Sequence, residues 1–155
     1  MAITGVYDAE PLILARINAA DTGDAFTTIS SASVLANAGD ITPLMPACLV
    51  MPGAVEGEVR ENFHGPFDET QLWQVSVIVP HIKDPDGSVT TASAAGTLIK
   101  MVIEALHQYR LSADFPRLLK YAGREAPIYE QGWAEFPLFF SLSLRMTLAS
   151  DSFDQ

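Results

Sequence analysis

Three glutamates, Glu56, Glu58 and Glu61, stand close enough along the chain to share the proton transfers of acid–base catalysis. Glu56 and Glu58 nevertheless alternate with Val55, Gly57 and Val59, as the solvent side of a strand does. His64, His81 and His107 are far apart, and none has a second ligand at a metal-binding step, so no metal site is expected. Asp84-Pro-Asp-Gly87 begins like a calcium loop but lacks the later ligands and the twelfth-position glutamate, which leaves a turn. Cys48 lies within Met45-Pro-Ala-Cys-Leu-Val-Met51, away from any helix start that would stabilise a thiolate. It reads as a buried structural thiol, with a reactive thiol as the alternative. There is no Gly-x-Ser-x-Gly elbow, no P-loop and no strand–glycine-rich–helix fingerprint; Gly53 and Gly57 lack the following helix that would hold a phosphate. The expectation is a protein without catalytic residues, cofactor or metal, and not an enzyme.

Composition narrows the class further. The chain has 155 residues, 48% apolar and 18% charged, which suits one folded domain over residues 1–155 with a polar tail at 150–155. A lone cysteine forbids an internal disulfide, so a reducing compartment suffices. The apolar runs are short and contain prolines, and the first residues lack the basic and apolar regions of a signal peptide. Residence in the cytosol, with no membrane partner, is the expectation. A net charge of −10, with nine scattered basic residues, opposes specific nucleic-acid binding.

These residues must be positioned by a recognisable series of elements. Asp8 to Ala20 predicts a helix with Leu12, Ile13, Ile17 and Ala20 as its apolar stripe, Asp8 as its cap and the Asp21-Thr-Gly-Asp24 turn as its end. Phe26 to Ile29 predicts a short strand, and Ser31 to Asn37 a helical turn. Pro46 to Met51 and Ala54 to Glu61 flank Pro52-Gly53, the signature of a hairpin. Gln71 to Pro80 puts Trp73, Val75, Val77 and Val79 on one strand face. Thr90 to Arg110 predicts a helix, with Ile99, Val102, Ile103, Leu106 and Tyr109 recurring at three- and four-residue steps. Phe115 to Tyr121 is ambiguous, and Ala126 to Gln131 predicts a strand before a Gly132 turn.

The last segment is the longest strand. From Phe136 to Leu148 the even positions Phe136, Leu138, Phe140, Leu142, Leu144, Met146 and Leu148 are apolar, opposite Ser141, Ser143, Arg145 and Thr147. At about 3.3 Å per residue it reaches roughly 40 Å, about the width of such a domain. A strand this long either crosses the whole sheet or projects as an arm. Pro137 cannot donate a ladder hydrogen bond, so pairing is expected to begin near Leu138. The order of elements predicts an α+β fold: a mostly antiparallel sheet with two main helices packed on one face.

Candidate interface residues follow from loops and from this strand. Phe63, His64 and Phe67 fall in the Asn62–Thr70 loop, and Lys83, Asp84 and Asp86 in the loop from His81 to Ala92. Trp133 flanks the last turn, and Leu142 and Leu144 supply apolar surface to a neighbouring subunit if the strand packs between copies. The aromatic residues could instead tuck over the sheet edge, and the leucines could lie under the helices.

The sequence Thr42-Pro-Leu-Met-Pro-Ala-Cys-Leu-Val50, the strand Gln71-Leu-Trp-Gln-Val-Ser-Val-Ile-Val79, the helix Leu98-Ile-Lys-Met-Val-Ile-Glu-Ala-Leu106 and the closing strands, in that order, resemble the tail terminator (tail completion) proteins of bacteriophages and prophages. The resemblance covers nearly the whole chain and rests on order rather than on an invariant motif. It implies a small α+β structural protein of the virion tail, assembled in the host cytoplasm. It further implies a ring homo-oligomer, commonly a hexamer, that caps the tail tube, ends its polymerisation and joins the head. The implied partners are further copies of the chain, the tail tube protein and a head–tail connector protein. The competing readings are another head–tail connector or minor tail protein, or a small ligand-binding or enzyme domain.

Overall fold

The computed structural model describes residues 3, 5–56, 66–81 and 90–147. Its elements are α1 (Ala9–Ala20), β1 (Thr28–Ser31), α2 (Ser33–Ala36), β2 (Ala47–Glu56), β3 (Pro66–Pro80), α3 (Thr91–Leu106), β4 (Lys120–Arg124), β5 (Ile128–Glu130) and β6 (Trp133–Thr147). A 3-10 turn at Thr42–Leu44 leads into β2. The strands form one sheet in the order β1-β2-β3-β6-β4, and β5 joins β4 on the outer side of β6. Every pair is antiparallel except β1 with β2. The fold is α+β, as the order of elements predicts.

The alternation in β6 decides which side of the sheet is covered. Ala134, Phe136, Leu138, Phe140, Leu142 and Leu144 join Trp73, Val75, Val77 and Val79 of β3, Cys48 and Val50 of β2, and the buried stripes of α1 and α3 in one core. Those stripes are Ala9, Ile13 and Ile17 on α1, and Ala95, Ile99, Val102, Ala105 and Leu106 on α3, at helical spacing. Arg16 ties the two helices together: its Nε donates to Ala105 O at 2.9 Å and its guanidinium lies 4.1 Å from the Tyr109 ring centre. A smaller cluster on the reverse face, Ala47, Leu49 and Ile78, is covered by Leu35 of α2, by Ile41 and Met45, and by Trp133.

The helix ends follow local chemistry. Thr90 caps α3 by accepting from Ser93 N–H at 3.0 Å. Asp8 makes no such cap bond on α1; its carboxylate accepts from Gly5 N–H instead. After α1, the buried Asp21 carboxylate accepts from Ala25 and Phe26 N–H and fixes the expected turn.

Four expectations are corrected. Pro52-Gly53 is not a hairpin turn: β2 runs through it, with a register shift against β3 between Pro52 and Val55. Gly53 is required by close approach, because a Cβ there would stand 2.6 Å from Leu72 O. The long helix stops at Leu106 rather than Arg110, because Gln108 takes φ 61° and its N–H donates to Leu119 O, while Leu119 N–H donates to Tyr109 O. Thr70 and the residues back to Pro66 are strand, not loop. Finally, β6 pairs from Trp133 and not from Leu138. Pro137 is accommodated because its outer side faces the interval between β5 and β4, where its carbonyl accepts from Glu125 N–H.

Candidate assembly surface

The longest strands, β3 and β6, pair over their whole 15-residue lengths, from Pro66 opposite Thr147 to Pro80 opposite Trp133. Their neighbours are shorter. β2 leaves β3 at Glu56 opposite Thr70, and β4 reaches β6 only as far as Lys120 opposite Ser141. Beyond those points the two strands continue as a ribbon, and among the described residues no strand pairs with either outer edge. Because the Pro137 carbonyl faces outward, alternation turns the backbone N–H and C=O of Ser143 and Arg145 outward too. The same register turns those of Asp68 outward on the opposite edge. An unpaired row of backbone donors and acceptors is a template for another strand.

Opposite charges meet across the ribbon. Arg145 Nε donates to Asp68 Oδ1 at 3.0 Å across the ribbon. Both side chains are more than 60% exposed, so this pair contributes at most about 1 kcal/mol to stability. Where β4 ends, a groove of about 600 Å³ has Arg117, Leu118 and Lys120 on one wall and Ser141, Ser143 and Arg145 on the other, with Asp68 also lining it. Three of the nine basic residues thus gather at one edge of a chain whose net charge is −10. Leu118 adds exposed apolar surface at the same place.

The root of the ribbon is held from the helix side. Trp73 Nε1 donates to Gln71 Oε1, while Gln71 Nε2 donates to Glu69 Oε1 and to Val6 O. Gln71 is buried with both amide groups satisfied, and Tyr7 packs edge-on against Trp73 at 6.2 Å, so the segment before α1 is fastened to β3. At the other end of β3, His81 Nδ1 lies 2.9 Å from Thr91 Oγ1 and its ring meets Tyr129, which in turn meets Phe136.

Cys48 is fully buried, and that burial, with the nearby Asp21 charge, pushes its thiol up to about 12. It is the structural thiol of the first reading rather than a nucleophile. Among the described residues no three His, Cys, Asp or Glu side chains come together as a metal site would require.

The candidate interface residues fare unequally. Phe63, His64, Lys83, Asp84 and Asp86 lie outside the described residues, as does the Phe67 side chain, whose backbone pairs opposite Met146 in β3. Trp133 is half-buried against the reverse-face cluster, so it tucks back over the sheet. Leu142 and Leu144 are each 1% exposed beneath the helices, which removes them from any free surface of the monomer. Sequence reading missed Asp68, Arg145, Arg117 and Lys120. The first two are far apart along the chain, and only the β3–β6 register brings them together.

Among the described residues, then, a small α+β sheet ends in a two-stranded ribbon of β3 and β6. The chain matches the family of phage tail terminator proteins over residues 4–150 and belongs to that family. It is therefore a structural component of a phage tail, in a family of virion proteins rather than enzymes. No curated protein matches it. One solved structure, 16% identical, covers 92% of this chain and 99% of its own length at a TM-score of 0.44, a likeness too loose to add to the family assignment.

Proposed function

We propose that this chain closes as a ring on the finished tail tube, ends tube polymerisation there and presents the surface to which the head is joined. Family membership over nearly the whole chain supports the tail role. The observation that carries the ring is the β3–β6 ribbon, whose two outer edges differ, because unlike surfaces on one subunit associate head to tail and a closing rotation makes a ring. Six copies are the expected number, with the tube protein below and a connector protein above, assembled in the host cytoplasm. The net charge of −10 suits a passage through which DNA must slide without adhering.

The test is reconstitution. Purified protein added to polymerising tube protein should give tubes of limited length with a ring at one end in negative-stain electron microscopy. Tubes that keep growing, together with a protein that remains monomeric by light scattering, overturn this reading.

A further inference from the structure

We infer that neighbouring subunits meet through opposite ends of the sheet: the basic β4 end of one copy packs against the acidic β1 end of the next. This rests on the ring reading and names the surfaces that close it.

The sequence divides its charge, and the topology carries the two parts to opposite ends of the subunit. No Lys or Arg occurs from Ile17 to Val59, a stretch that holds the end of α1 and all of β1, α2 and β2. Within it Asp24, before β1, and Asp40, between α2 and β2, are exposed. Arg16 does not offset them, because its guanidinium is held over Tyr109 against α3. From His107 to Arg124, by contrast, Arg110, Arg117, Lys120 and Arg124 accompany a single carboxylate, Asp114. All four cations are exposed, and among the described residues none makes an ion pair. Asp68 also lines the groove of Arg117 and Lys120, but its carboxylate is taken by Arg145.

That division selects the occupant. In the order β1-β2-β3-β6-β4 four strand spacings separate β1 from β4, about 19 Å at about 4.8 Å each. This is more than twice the screening length of roughly 8 Å at physiological salt, so the two ends do not neutralise each other within one subunit. A second copy satisfies both. Two β4 ends brought together would face cations with cations, and two β1 ends carboxylates with carboxylates, so a two-fold dimer through either end is disfavoured. Unlike ends on one subunit associate head to tail, as a ring requires. Leu118, exposed between Arg117 and Lys120, gives the contact an apolar centre. Nucleic acid, the other partner a basic end could take, is opposed by the net charge of −10.

Exchange of charge between the ends tests this directly. One variant reverses the basic end, Arg117→Glu with Lys120→Glu. A second reverses the acidic end, Asp24→Asn with Asn37→Lys and Asp40→Lys; asparagine suits the positive φ that Asp24 adopts, and Asn37 is exposed three residues before Asp40. Circular dichroism checks that each is folded. Each is added to tube protein at low salt, and rings on tube ends are counted by negative-stain electron microscopy. The expected result is a loss of about tenfold or more for either variant alone, because every junction then joins like charges. An equal mixture of the two should return to the parent's count, since in a ring that alternates them every junction again joins opposite charges. Either variant that forms rings alone as the parent does, or a mixture that stays without them, overturns the end-to-end contact and leaves the ring reading intact. Failure of the unmodified protein to form rings on tubes overturns the ring and the contact with it.

Discussion

Leu142 separates two uses of the long strand's apolar face, and a truncation there measures which one operates. The side chain is 1% exposed, lies between Phe140 and Leu144 on the helix side of β6, and pairs opposite the buried Gln71. Leu142→Ala removes apolar contact from a core that closes within one subunit, and such changes cost about 2–5 kcal/mol. Total stabilities of about 5–15 kcal/mol are usual, so a large part of the reserve is lost. A cost of about 3 kcal/mol lowers Tm by roughly 6–12 °C for a chain of this size. The assay is thermal unfolding followed by far-ultraviolet circular dichroism at concentrations where light scattering finds the monomer. Leu118→Ala serves as the matched control, because Leu118 is exposed at the groove and surface changes stay within about 0.5 kcal/mol. A Leu142→Ala monomer that melts with the parent protein, yet no longer assembles on tubes, refutes the assignment of this face to the monomer's own core.

Three further outcomes follow from particular contacts. Gly53→Ala should destabilise by about 1–3 kcal/mol, because its new Cβ meets the Leu72 backbone at 2.6 Å, and denaturant unfolding reads the loss. Gly96→Ala, on the exposed side of α3 with nothing within 4 Å of the added carbon, should instead stabilise by about 0.5–1 kcal/mol in the same measurement. The Cys48 thiol titrates at about 12 when folded against an ordinary 9.0. The unfolded chain therefore releases this proton first, so the contribution is whole below pH 9 and falls by about 1.4 kcal/mol per pH unit above it, until the folded thiol ionises. Cys48→Ala should flatten that alkaline slope in urea titrations across pH 8 to 11, and an unchanged slope would show that the thiol is not the group responsible.

How much of this was legible in the residues depends on what each pattern encodes. Period-two alternation from Phe136 to Met146 revealed the strand and its buried face, and three- and four-residue spacing in Ile99, Val102 and Leu106 revealed α3, because burial acts on side chains one at a time. Direction and register act on backbone pairs and leave no such trace. The parallel union of β1 with β2 was invisible for that reason, and Pro52-Gly53 imitated a turn although its glycine answers to the carbonyl of Leu72 on the next strand. Tyr109 continued the helical spacing past the point where Gln108 leaves the helix to pair with Leu119.

The same distinction governs the assembly surface. The apolar face of β6 first suggested contact between subunits, but a strand face that completes a monomer's core is no longer available to a neighbour. What the strand retains is its edge, made of N–H and C=O groups common to every residue, and identifiable only once the strands beside it are known to be shorter. Side chains speak for an edge only through charge. Asp68, Arg145, Arg117 and Lys120 acquire their meaning from a register that joins residues 68 and 145 and from the point at which β4 stops. The length of β6 therefore has a use within its own subunit: its inner side chains, from Ala134 to Leu144, hold the helices along nearly the whole strand.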